Sequence, residues 1–205
     1  MANRWPTFEG RNSAILLECV RHPRRTGAVA STPLCCAEAF IDRLAIEEAR
    51  HVVELGAGTG VITSALRHRL PSTALLLSVE ISPALATQLR AKHTADNVEV
   101  VCGSAAELIT ILNDRRIPAV DCVISSLPWT LMPIEDQHRI LHSISAALAD
   151  TGCFSLLLAA SHTWTTAGRR FDTLLREHFP HIRKERPHWA NLPPLRAYHC
   201  RLSDR

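Results

Sequence analysis

An acid followed by three alternating glycines is the stretch of this chain best equipped for ligand chemistry. It reads His51-Val52-Val53-Glu54-Leu55-Gly56-Ala57-Gly58-Thr59-Gly60, and residues 61–70 continue as a helix-compatible run. The pattern predicts a buried strand, a tight turn and a helix start. Glycines allow the sharp turn and let a ligand approach the main chain. The helix that follows offers free N–H groups and a partial positive charge, which suits a nucleotide-type ligand. The third glycine comes one residue too early for a G-x-G-x-x-G dinucleotide fingerprint, because Val61 occupies the position where that glycine belongs. No lysine lies nearby to complete a phosphate loop. An acid at the strand end suits a ligand that carries an ammonium group.

The other chemistry-bearing residues lie at the ends of further expected strands. Residues 74–80 are apolar until Ser78 and end in Glu80, placed to hold the two hydroxyls of a ribose. Residues 98–102 form a third strand, followed by Gly103-Ser104-Ala105. Residues 120–126 form a fourth and run into Leu127-Pro128-Trp129. In a doubly wound sheet the fourth strand lies beside the first, so this loop faces the ligand. Tryptophan is the best ring for a cationic partner. The competing reading of Trp129 is a core side chain after a turn.

These sites need a scaffold of alternating strands and helices. Helices are expected over 33–49, 61–70, 83–93, 104–112, 133–149 and 169–179, with a fifth strand at 152–159 and a closing antiparallel pair at 181–189 and 195–202. Residues 26–33 form a small-residue turn in which Ser31 or Thr32 caps the next helix, with Pro33 in its first turn.

The form E-x-G-x-G-x-G resembles motif I of the class I S-adenosylmethionine (SAM) methyltransferases. Ser126-Leu127-Pro128-Trp129 resembles the N-L-P-Y type loop of amine-directed methyltransferases such as the rRNA adenine dimethylases, with serine in place of asparagine. The order G-A-V-A-S-T-P, V-E-L-G-A-G-T-G, S-V-E, S-S-L-P-W and W-A-N-L-P-P-L resembles the bacterial phospholipid N-methyltransferases over most of the chain. That resemblance implies an α/β, Rossmann-like, doubly wound seven-stranded sheet of order 3-2-1-4-5-7-6, with strand 7 antiparallel. It implies SAM as cofactor, with Glu54, Gly56, Ala57, Gly58 and Gly60 at its methionine end. Glu80 and Ile81 would meet the ribose, and Ser104 and Ala105 the adenine. Ser125, Ser126 and Trp129 would face the transferred methyl, Ser125 also touching the cofactor. Leu127 and Asn191 would lie on the substrate side.

Two domains are expected: a helical cap at 1–32 and the methyltransferase domain at 33–205. Residues 13–20 suggest a short helix with an apolar face, among Arg4, Trp5, Phe8, Arg11, Arg21, Arg24 and Arg25. Its shortness favours a cap over the cofactor cleft; the alternative is peripheral contact of residues 1–25 with an anionic membrane.

With 205 residues, 46% hydrophobic and 21% charged, the composition is that of an ordinary globular protein. A net charge of +3 forces no nucleic-acid footprint. The seven cysteines form no C-x-x-C pair, which predicts reduced core thiols in a cytoplasmic protein, peripheral at the inner membrane face if residues 1–25 bind it. The eleven histidines show no ligand spacing, so no metal is expected. The substrate expected is a small amine or a lipid head group such as phosphatidylethanolamine. The alternatives are adenine N6-methylation of rRNA and a SAM-binding protein that transfers no methyl.

Overall fold

The structure is a computed structural model that describes residues 34–191 and 193–204. The expected cap at 1–32 and the turn at 26–33 lie outside the described residues. The order of elements is α1 (Leu34–Ile41), β1 (His51–Leu55), α2 (Val61–Arg69), β2 (Leu75–Glu80), α3 (Pro83–Lys92), β3 (Val98–Cys102), α4 (Leu108–Asn113), β4 (Val120–Ser125), α5 (Ile134–Ala147), β5 (Leu148–Ala159), α6 (Thr166–His178), β6 (His181–Lys184) and β7 (Leu195–Arg201).

The sheet order is β3-β2-β1-β4-β5-β7-β6, as the resemblance implies. Strands β1 to β5 run parallel, and β7 is antiparallel to both β5 and β6. Both faces of the central strands are buried, which is why β1, β2 and β4 read as apolar runs rather than alternating ones. Helices α4, α5 and α6 cover one face, in a core containing Leu108, Ile140, Ile144, Phe154 and Phe171. On the other face α1 and α2 pack through Phe40, Ile41, Ile62 and Leu66.

The chain crosses from β3 back past β1 to β4, so the order reverses between β1 and β4. In open α/β sheets the ligand crevice lies at the carboxyl ends of the strands at that reversal. The loops after Leu55 and Ser125 therefore form its walls.

Five elements differ from their expected bounds by more than two residues; α4 begins at Leu108 rather than 104 and α6 at Thr166 rather than 169. The first helix ends at Ile41 rather than near residue 49. Single turns follow, with the Leu44 and Ala49 N–H groups donating to Ile41 and Ile46 carbonyls at 2.9 and 3.2 Å. These turns bury Leu44, Ile46 and Ala49 before the chain enters β1. Strand β5 starts at Leu148 and carries a register shift opposite Val120/Cys122. The closing pair is interrupted after Lys184 and resumes as a single bridge, His188 to Leu195, around Pro187, which has no N–H for a ladder. Cys36, Cys122 and Cys200 are buried, but Cys35 is exposed rather than in the core.

Candidate active site

The glycine corner is built by conformation. Gly56, Gly58 and Gly60 have φ of +80°, +54° and +78°, the left-handed region that other residues rarely adopt. At Gly60 the space is closed as well, because a Cβ would lie 2.5 Å from Leu89 Cδ2 and 3.0 Å from His93 Nε2. At Gly58 it is open: the nearest atom to a Cβ would be the Gly56 carbonyl oxygen, 4.0 Å away. Gly60 caps α2 without a side-chain acceptor, so the first N–H groups of α2 have no capping side chain.

Two buried carboxylates flank this corner. The Glu80 side chain ties the tip of β2 to the glycine loop: Oε2 accepts from Gly58 N–H and Oε1 from Ser82 N–H, both at 2.8 Å. Glu54 is fully buried. Its Oε2 accepts hydrogen bonds from Thr63 Oγ1 at 2.6 Å and Ser78 Oγ at 2.8 Å, while Oε1 has no hydrogen-bond partner among the described residues. Burial pushes the Glu54 carboxyl up to about 7 despite the Thr63 and Ser78 bonds. Thr63 and Ser78 were not singled out in the sequence. The available signal was Ser78 itself, a polar residue inside an apolar strand that must find a buried partner.

This shift sets a pH dependence. A carboxyl raised from 4.5 to about 7 binds its proton more tightly in the folded chain. Its stabilising contribution is fully present below about pH 4.5 and is lost as the pH rises through about 7. Glu54→Gln removes the dependence, so the variant's stability relative to wild type should rise by about 3 kcal/mol between those limits. Urea unfolding at about pH 4.5 and pH 8 checks it; a constant difference between the two proteins would show that Glu54 ionises freely.

The loop after β4 is the second wall. Ser126 N–H donates to Leu55 O at 3.2 Å, and Ser126 Oγ donates to Gly56 O at 2.7 Å. The structure thus brings Ser126 directly onto the glycine corner. Leu127 does the same through apolar contact, since a Cβ on Gly56 would strike Leu127 Cδ2 at 2.8 Å. Gln137 of α5 holds the loop from behind, donating from Nε2 to the Trp129 and Met132 carbonyls at 2.7 and 2.9 Å.

Trp129 is a correction. Its ring is fully buried, stacked on Phe171 at 5.1 Å between centroids and edge-on to Phe154 at 6.1 Å. Its Nε1–H donates to Ser125 Oγ at 3.1 Å. No ring face is left for a substrate cation, and the core reading of Trp129 holds. Ser125 is likewise fully buried, its Oγ also accepting from Leu127 N–H at 3.2 Å. It shapes the loop rather than lining the opening.

Ser104 caps the turn after β3: its Oγ accepts from Ala106 N–H at 3.3 Å, and Glu107 Oε2 accepts from Ser104 N–H at 3.4 Å. Ala105 is buried behind it. Ile81 follows Glu80 at the tip of β2, partly exposed. Asn191 is buried and donates from Nδ2 to Pro193 O at 2.8 Å. Its loop sits at the same sheet edge as the crevice, because Leu195 pairs with Ala159 at the carboxyl end of β5.

The corner fits a cofactor with a cationic amino-acid tail. A buried carboxylate oxygen unpartnered among the described residues, an open approach at Gly58 and the N-terminus of α2, which Gly60 leaves without a side-chain cap, are complementary to an ammonium, a close-packed ligand and a carboxylate. A doubly wound sheet of this order, with such a corner at its reversal point, defines the class I SAM-dependent methyltransferases. The chain belongs to that family, and its cofactor is SAM.

The family described as "Methyltransferase domain" matches residues 52–152. The ornithine lipid N-methyltransferase of Singulisphaera acidiphila is 31% identical over 183 residues, covering 88% of this chain and 91% of that protein. An O-methyltransferase from Bacillus cereus, solved in complex with SAH, superposes with a TM-score of 0.68 at 14% identity, covering 95% of this chain and 93% of that one. The mitomycin 7-O-methyltransferase MmcR gives 0.64 at 20% identity over 91% of this chain, which spans 60% of the MmcR length. At these identities the solved structures speak for the fold.

Proposed function

We propose that this methyltransferase acts on nitrogen, methylating an amine in a lipid head group. The observation that carries the reading is the 31% identity to an ornithine lipid N-methyltransferase across nearly the full length of both chains. The β4 loop supports it. Ser126 Oγ spends its proton on Gly56 O, so its lone pairs are what it presents to a substrate. An acceptor there matches an N–H donor.

Bound SAM supplies a methyl group already activated on sulfur. The chain's task is therefore alignment and exclusion of water, which can supply about 7–11 kcal/mol of a barrier. Glu80 holds the ribose hydroxyls and Glu54 faces the ammonium of the tail. Gly56, Ala57, Gly58 and Gly60 pack against the methionine portion, with Ser104 and Ala105 at the adenine. Ser126 accepts from the amine and directs its lone pair, with Leu127 and Asn191 bounding the substrate. A neutral amine needs acceptors and a route to lose one proton. Residues 126–133 contain no acid or base, which disfavours a hydroxyl nucleophile.

Ser126→Ala is expected to lower kcat roughly tenfold or more, the worth of one hydrogen bond in a dry site, with little change in SAM affinity. The corner keeps its shape because Gly56 N–H still donates to Val79 O at 2.9 Å. Equal losses in rate and in cofactor affinity would assign Ser126 to the cofactor side. The reading as a whole is tested with methyl-labelled SAM and, in parallel, amine-lipid vesicles, rRNA and soluble amines. Label should enter the lipid fraction; label in rRNA, in soluble amines alone, or nowhere would overturn it.

A further inference from the structure

We propose that the sheet edge carrying the crevice is also the face that settles on an anionic bilayer, through Trp164, Trp189 and Leu131. The inference rests on the lipid-amine reading and adds the surface by which the enzyme reaches its substrate. Trp164 is 82% exposed and Trp189 78%, with Leu131 at 39%. Such apolar area is costly to leave in water at three neighbouring points.

The three residues come from loops at one end of adjacent strands. Leu131 follows β4, Trp164 follows β5, and Trp189 precedes β7, with β4, β5 and β7 side by side. The latter two loops touch: Ala160 N–H donates to Pro194 O at 2.7 Å. The crevice opens at this same edge. An amine held in the head-group layer by its acyl chains reaches the corner only if that edge faces the layer.

The charge around the two indoles has one sign, whereas Leu131 is followed by Glu135 and Asp136. Residues 151–171 contain no Asp or Glu but include Arg169 and Arg170. Residues 186–199 contain none either, and include Arg186, His188 and Arg196. Glu185, next to this stretch, is buried against Arg43 and His199. Arg169 is fixed beside the first indole, donating to the Thr163 and Trp164 carbonyls at 3.3 and 3.1 Å. Indoles with a polar N–H on an apolar body concentrate at membrane interfaces, and arginines are drawn to anionic lipid. Among the described residues no helix is long and apolar enough to cross a membrane.

The test uses the full chain with Trp5→Phe, which leaves Trp129 in the core and the two exposed indoles. Adding vesicles of phosphatidylglycerol and phosphatidylethanolamine with brominated chains should shift the emission blue and quench it. In the same background Trp164→Ser with Trp189→Ser should abolish both signals and weaken vesicle partition roughly tenfold to a hundredfold. An unquenched Trp5→Phe protein, or equal partition with and without the two indoles, would overturn the surface. A vesicle-free dimer dissolved by the double change would also overturn it, assigning the indoles to a second copy. Methyl transfer to an amine lipid in detergent separates the two ideas. Transfer without quenching sinks the surface and spares the lipid-amine reading; quenching without transfer to any lipid does the reverse.

Discussion

Glu80→Gln is expected to weaken SAM binding roughly a hundredfold, read by calorimetry. Glu80 is nearly fully buried, and each carboxylate oxygen accepts one main-chain N–H, from Gly58 and from Ser82. Hydrogen bonds to a charged acceptor are worth about 1.5–3 kcal/mol each. A glutamine keeps one acceptor and turns an NH2 toward the other donor. Either Gly58 or Ser82 then faces a donor in a buried site, and the corner is released from the tip of β2. The change also removes charge from the group proposed to hold the ribose diol. Stability should fall as well, since both bonds lie within the chain, and the loss of cofactor affinity comes on top of it. A protein that melts lower but binds SAM as before would reduce Glu80 to a structural tie.

Gly168→Ala is the change expected to cost most stability, about 3 kcal/mol or more. An added Cβ would lie 1.9 Å from the His162 carbonyl oxygen and 2.5 Å from its carbon, both main-chain atoms. The turn cannot yield easily. Thr165 Oγ1 donates to that same oxygen at 2.8 Å and accepts Gly168 N–H at 3.0 Å. The buried His162 ring is fixed in turn by Ala159 O, Asp172 and Tyr198. For a chain of 205 residues the melting temperature should drop roughly 6–12 °C. A drop within about 2 °C would mean that the turn has another low-energy form. Trp164 lies in this turn, so the variant's vesicle binding should suffer as well.

Much of this architecture is legible in the sequence because parallel strands buried on both faces leave continuous apolar runs. Residues 98–102 fall on β3 as expected, and β1, β2 and β4 start or stop within one residue of the expected limits. The glycine corner is legible for a related reason: three positive φ values in five residues strongly favour glycine at each. Orientation across the sheet is less accessible. Trp129 follows a proline turn that looks substrate-facing, but Phe154 and Phe171 receive its ring, and they are remote in sequence. The set formed by buried His162 and Tyr198 with half-buried Asp172 and Lys184 was also missed. Those residues meet only when α6, β6 and β7 pack, and nothing in their spacing announces it.

Two hydrogen bonds from Ser126, to the Leu55 and Gly56 carbonyls, join the two walls of the crevice. Whatever firms one wall must firm the other, and by thermodynamic reciprocity the favour is returned in equal measure. Occupancy by the methyl donor would then sharpen affinity for the acceptor, and the acceptor would retain the donor by the same factor. Demethylated donor and finished product would let go of each other's walls together, making turnover a concerted loosening rather than two separate departures.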